Sequence, residues 1–372
     1  MYTVNRERLI EEFMHMVQIN SLSRDERAMA DYLTEKLTAL GVEVVEDKAG
    51  ERVGGNAGNL FCTLKGDESK PTILFTCHMD TVAPGLNIKP IRTEDRISSD
   101  GTTILGADDK AGVAGILEMV RTLKEQNMKH GTIVLFLTMG EESGLLGSRH
   151  ADWEHLPKVD MGFAFDSNGP IGHVVTQSPS QERIEVVIHG RLAHAGVNPE
   201  AGLNAINVAS AVISRMKLGR INERTTANIG TFHGGQATNV VADRVEILAE
   251  ARSLVLEELA EQVAHMKDVF ETTAAEFGTT VEFKHSNMYS NVNFEESAPV
   301  IQTAFQAIRS LGFEPKTMAS GGGSDANVLN GQGVPTCNLA IGYEKIHTVN
   351  EFIRLDDLEN AARLLVAVTQ AV

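Results

Sequence analysis

Two histidines and a set of carboxylates occupy unusual places in this chain of 372 residues. His78 and Asp80 follow the apolar run Ile73-Leu74-Phe75. Glu141 and Glu142 follow the run 133–137, and Asp166 closes the run 161–165. His347 lies shortly after 337–341, and Asp108 and Asp109 stand at a helix start, Gly106-Ala107-Asp108-Asp109-Lys110. The four runs are rich in branched or aromatic residues and lack polar alternation, as strands covered on both faces do. Ala114, Leu117, Val120 and Leu123 mark a helix over 110–125, and strand–helix–strand implies a largely parallel sheet. The polar residues would then gather at the carboxyl ends of the strands, where α/β proteins place ligands. That many negative charges in one crevice repel strongly unless protons or cations compensate them. Imidazole and carboxylate donors without thiolate suit zinc, manganese or cobalt. Five or more such donors exceed one tetrahedral zinc. Two metals sharing a bridging carboxylate would polarise a carbonyl and activate a water.

Each residue alone admits a plainer role. A single histidine is more often a satisfied core residue, Asp80 could cap a turn or helix, and paired acids favour a helix's first turn. Their joint placement at strand ends argues against reading them separately.

The elements that must position these groups are legible from periodicity. Leu9, Phe13 and Val17, then Met29, Tyr32, Leu33 and Leu37, recur at helical spacing and predict two N-terminal helices. Ser23 with Glu26 predicts a capping box between them, and Gly41 ends the second helix. Residues 180–292 differ in character. They read strand (183–189), helix (202–216), strand (226–232), strand (240–251), helix (257–277), strand (280–285), with alternation such as Ile184-Glu185-Val186. That β-α-β-β-α-β order is ferredoxin-like. The expected fold class is therefore α/β, a mainly parallel sheet flanked by helices, with an inserted α+β domain. The catalytic domain would comprise 1–179 and 293–372, and the insertion 180–292.

Composition removes several function classes. A net charge of −17 argues against nucleic acid as partner, and no run of about 18 apolar residues could span a membrane. The N-terminus carries no apolar signal-peptide region. Three cysteines, Cys62, Cys77 and Cys337, cannot build a disulfide framework and fit a reducing cytoplasm.

His78-x-Asp80, the Gly106–Gly112 segment, Glu141-Glu142, Asp166 and His347, taken in order along the chain, resemble the five metal-site motifs of the co-catalytic dinuclear zinc exopeptidases. The Gly-Ala-Asp-Asp-Lys-Ala-Gly form is most similar to the peptidase T branch, the tripeptide aminopeptidases. The resemblance implies the hydrolase-like zinc peptidase fold with a lid domain at 180–292, and two divalent ions per subunit, zinc with cobalt or manganese as alternatives. Asp108 would bridge them. His78 and Asp166 would complete one metal, and Glu142 and His347 the other. Glu141 would be the general base, with Asp80 orienting His78. A cis peptide is implied at Asp108–Asp109. Gly190-Arg191-Leu192-Ala193-His194-Ala195-Gly196 resembles the lid motif whose histidine serves the other subunit's site, which implies a homodimer through the lid. Asn239 and Arg252 resemble substrate-binding residues, with Arg252 suited to a carboxylate. Gly322 and Gly323 fall in a loop resembling one that lines the pocket. The implied substrate is a short peptide, cleaved at its N-terminal bond. An N-acyl-amino-acid amidohydrolase, a dipeptidase or a carboxypeptidase would share the core, and an inactive peptide-binding homologue is a non-enzyme alternative.

The segment 321–326 also fits Gly-x-Gly-x-x-Ala, a dinucleotide fingerprint, but no good strand precedes it. The chain has neither His-Glu-x-x-His nor the Gly-x-Ser-x-Gly elbow of serine hydrolases.

Overall fold

The four apolar runs form neighbouring parallel strands in the computed structural model, which describes residues 2–372. Their spatial order is Ile133–Thr138, Ile73–His78, Met161–Ser167, Thr336–Ala340. Register aligns His78 with Thr138, and both Thr76 and Asn338 with Ala164, so the chemically active ends lie at one edge. Every residue of Ile73–His78, Ile133–Thr138 and Thr336–Ala340 is buried, which is why these strands show no alternation. Each fully buried Leu, Ile or Phe here contributes roughly 1.5–3 kcal/mol. Antiparallel strands flank this core, Leu60–Leu64 and Glu43–Glu46 on one side and His173–Ser178 on the other.

The helix Ala107–Glu125 is non-helical at Asp108 and Asp109, so its regular part begins after the acids. It lies close against the strand ends. A Cβ on Gly112 would fall 2.6 Å from Cys77 Sγ and 2.7 Å from the Phe165 carbonyl. Arg6–Val17 and Arg27–Ala39 are the two N-terminal helices, and Gly41 follows the second with φ +70°. The expected capping box is absent. Glu26 is the N-cap residue and makes no side-chain cap bond; Ser23 Oγ donates to Asp80 Oδ2 at 2.6 Å, and Glu26 Oε1 accepts the Arg24 amide at 2.7 Å and the Gly140 amide at 2.9 Å. The Ser23 hydroxyl goes to a tertiary partner, while Glu26 combines a local and a tertiary amide.

The chain divides into two compact units, and residues 177–293 with Gly321–Gly323 form the second. Its antiparallel sheet runs Gly219–Arg220, Thr225–Gly234, Arg244–Ser253, Ser180–His189, Val281–Tyr289. The four long strands have the ferredoxin-like order. Ile184, Val186 and Ile188 pack with Val208 and Val212 of Ala205–Arg215 and Phe270 of Leu256–Glu276 in a separate core. The expected strand at 240–251 begins only at Arg244; Asn239 sits in an exposed turn, and Val240 makes an isolated bridge to His194.

A third, small sheet escaped sequence reading because its strands are two or three residues long. It orders Tyr343–Glu344, Phe352–Arg354, Arg96–Ser98 and Ile91–Arg92. No helix among the described residues is long and apolar enough to cross a membrane.

Candidate active site

Asp108 is the centre of the cluster. His78 Nε2 lies 3.1 Å from its Oδ1 and His347 Nε2 lies 3.4 Å from its Oδ2. Asp166 Oδ1 is 3.7 Å from His78 Nε2, and Glu142 Oε1 is 2.8 Å from His347 Nε2. The structure therefore brings His78, Asp108, Asp166, Glu142 and His347 together. The Asp108–Asp109 peptide is cis.

Each group is held by a different device. His78 ends its strand, 1 % exposed, with Nδ1 3.0 Å from the Asp80 carbonyl and 3.3 Å from Asp80 Oδ1. The Asp80 carboxylate does more than face His78. It accepts the amides of Glu141 (3.0 Å) and Glu142 (3.2 Å) and the Ser23 hydroxyl. Glu26 accepts the neighbouring amide of Gly140, so two buried carboxylates hold three successive N–H groups of the Glu141 turn. Asn59 braces the same turn at Met139 and Gly147. Buried Asp325 accepts the hydroxyls of Thr138 and Ser148 at its two ends. Asp166 is pinned by Asn338 on the adjacent strand, which accepts its amide (3.0 Å) and donates to its carbonyl (2.7 Å). The buried Tyr343 hydroxyl donates to its Oδ1.

Ser23, Glu26, Asn59, Asp325, Asn338, Tyr343 and Glu351 were missed by sequence reasoning. Asn338 left a signal, a polar residue inside an apolar strand. The others act across long sequence separations that no local pattern reports.

Protonation follows from crowding. Burial, reinforced by neighbouring acids, holds the Glu141 and Asp166 carboxyls well above the usual carboxylate range. Against the cost of burial, bonds from His347 and His78 keep Asp108 below that range. Burial disfavours a charged His78, but Asp108 and Asp80 outweigh it and raise its pKa. Bonds to Asp108 and Glu142 push His347 up to about 10. Protons here do the compensating that a cation could do instead.

The donor set fits divalent cations. His78, Asp108 and Glu142 offer atoms all within 4.8 Å of one another, as do His78, Asp109 and Asp166. Asp109 is the weaker candidate of the two aspartates. Its Oδ2 accepts the His78 backbone amide at 3.2 Å, so it braces the strand end from behind. All three cysteines are free and buried, which leaves an imidazole–carboxylate site.

The remaining expected residues lie in the second unit. His194 is exposed, with Nδ1 accepting the Gly196 amide. Arg252 donates two hydrogen bonds to the Glu250 carboxylate, from Nε at 2.9 Å and from Nη2 at 3.0 Å. A Cβ on Gly322 would meet Arg252 Nη1 at 3.8 Å. At Gly323 a Cβ would overlap the Tyr289 ring at 2.2 Å, so only glycine fits. Asn239 supplies its carbonyl to the Ala195 amide. Asn239 thus adjoins the His194 loop, while Arg252 adjoins the glycine loop.

Residues 74–371 match the family described as Peptidase family M20/M25/M40. A crystal structure of aminopeptidase PepT from Bacillus cereus is similar at TM-score 0.89 and 49 % identity, covering 99 % of both chains. A tripeptidase from Staphylococcus aureus is similar at TM-score 0.93 and 44 % identity, covering 99 % of this chain and 98 % of that one. Peptidase T of Clostridium novyi is 29 % identical over 339 residues, 81 % of this chain and 82 % of its own. With a family match over most of its length and these similar aminopeptidase and tripeptidase structures, the chain belongs to peptidase family M20/M25/M40 and is a peptidase.

Proposed function

We propose that the chain is an aminopeptidase of the peptidase T kind that removes the N-terminal residue of short peptides with two divalent cations bound. The observation that carries this reading is Asp108, one buried carboxylate with an imidazole at each oxygen. Asp108 would bridge the pair, His78 and Asp166 holding one ion and Glu142 and His347 the other. The donors suit zinc first, with cobalt or manganese as substitutes. Such a pair, when bound, polarises a peptide carbonyl and brings the pKa of a water towards ~7.

Glu141 would be the general base, taking a proton from the attacking water and returning it to the leaving amine. Asp80 fixes the Glu141 amide and His78 Nδ1 and need not touch substrate. His194 of a second copy would donate to the carbonyl oxygen, in a homodimer formed through the second unit. Asn239, Arg252 and the backbone of Gly322 and Gly323 would hold the far end of the peptide, Arg252 its carboxylate. Free, buried thiols fit a cytoplasmic setting.

A panel of tripeptides against N-acetyl and N-succinyl amino acids, with elemental analysis of bound metal, tests the proposal. Hydrolysis of the N-acyl compounds alone, or full activity without zinc, cobalt or manganese, would overturn it. For His194, inactive Glu141→Ala and His194→Ala subunits are mixed. Heterodimers that recover no activity rule out the contribution from the second copy.

A further inference from the structure

Glu351 is 1 % exposed and belongs to none of the roles above. Its Oε2 accepts the amides of Leu105 and Gly106, both at 2.8 Å, and its Oε1 accepts the amide of Asp108 itself at 3.1 Å. Three backbone N–H groups on one carboxylate are charge-assisted bonds, stronger than neutral ones. They cross about 245 residues of sequence, from the end of the His347 loop to the turn that carries Asp108.

The loop needs such an anchor. Residues 345–351 connect two paired strands, Tyr343–Glu344 and Phe352–Arg354. Lys345 and His347 both sit at left-handed φ, +56° and +60°. The His347 side chain is 47 % exposed. Within the loop, Thr348 Oγ1 donates to the Lys345 carbonyl and the Glu351 amide to the Thr348 carbonyl, so 345–351 is internally stiff. Phe352–Arg354 pairs in turn with Arg96–Ser98, on the segment that leads into the Asp108 turn. Glu351 adds three hydrogen bonds between the end of the loop and that turn.

We infer that Glu351 is a positioning residue that locks the His347 loop to the Asp108 turn and so preassembles the cation site of Asp108, Glu142 and His347. The inference rests on the two-cation reading of the site. The two ions would share Asp108, whose amide Glu351 holds, but only one of them also depends on the His347 loop; His78 and Asp166 are set by strand ends. In Glu351→Gln a single carbonyl oxygen replaces two acceptors, and the new amide N–H groups face backbone N–H groups.

The test is a zinc titration of metal-free protein against a chromophoric chelator, with thermal unfolding of each metal-free protein measured alongside. Glu118→Gln is the control, a fully buried carboxylate that takes the Asn5 amide and Arg8 far along the same helix. Wild type and Glu118→Gln are expected to bind two ions alike. Glu351→Gln should bind the ion of Glu142 and His347 about 10–100-fold more weakly and lose less at the ion of His78 and Asp166. Two ions at wild-type affinity in Glu351→Gln would overturn the inference. Equal weakening of both ions would also overturn it, since Glu351 would then act on the shared Asp108 turn or on the fold and not through the His347 loop. Wild-type protein that takes up no divalent ion overturns the two-cation reading itself. Should Glu351→Gln not fold, Glu351→Asp, with the charge on a shorter arm, is titrated with the same outcomes.

Discussion

His78 and His347 address opposite oxygens of Asp108, yet the molecule holds them in unlike ways. His78 sits at the end of a fully buried parallel strand, 1 % exposed. His347 sits in a half-exposed loop between two-residue and three-residue strands. The first is positioned by the sheet, whose register with Ile133–Thr138 leaves it little freedom. The second is positioned by a stiff loop and one buried carboxylate. The same imidazole chemistry can thus be set by burial or by bracing, and the two should fail differently when disturbed.

The largest effect is expected where the ligands are left alone. Glu141→Ala should keep both ions by elemental analysis and lose about 10³-fold or more in kcat; turnover near wild type removes Glu141 from the base role. His78→Ala should come next. It deletes the buried imidazole partner of Asp108 and leaves it only the half-exposed His347, which costs roughly 3–5 kcal/mol in metal-free protein. Denaturant unfolding reads this, and a loss under about 1 kcal/mol would mean the sheet does not depend on the pair.

On the same buried side, Glu26 lies under the Glu141 turn. Burial first, then Asp80, raises its carboxyl from 4.5 to about 7. Among the described residues its Oε2 has no hydrogen-bond partner. A raised acid binds more protons folded than unfolded, so this contribution to stability falls as pH rises from about 4.5 through 7. Glu26→Gln should remove that fall and gain on wild type with pH, by up to about 3 kcal/mol. A pH-independent gap between the two proteins in urea unfolding would refute it. The smallest stability effect is expected at the exposed imidazole. His347→Ala should cost metal-free protein no more than about 1 kcal/mol while removing one ion in titration. Equal stability losses in His78→Ala and His347→Ala would erase the distinction between the two halves.

Much of this was legible before any coordinates. The four buried strands announced themselves because strands covered on both faces need apolar residues at every position. Ile73-Leu74-Phe75 and its counterparts supply them. The insertion was legible because its sheet has one packed face, which forces alternation, as at Ile184-Glu185-Val186. Short elements were not legible. Tyr343–Glu344 and Phe352–Arg354 are too brief to carry a period, and their sheet exists only through pairing with Arg96–Ser98. Ser23 and Glu26 satisfied a local capping pattern, yet the Ser23 hydroxyl goes to Asp80, and Glu26 takes the Arg24 amide together with the distant Gly140 amide.

The sequence by itself determined the donor types and their order along the chain, because apolar periodicity dictates where strands end and polar residues were placed at those ends. It also determined that two kinds of sheet alternate along one chain. What only the tertiary structure decided is how those donors are held. The Asn338 clamp on Asp166, the Glu26–Asp80 cradle under Glu141, and the Glu351 bridge to Asp108 each join residues from distant parts of the chain. Such bonds leave no periodic trace, since each is a single side chain whose partner is chosen by packing in three dimensions.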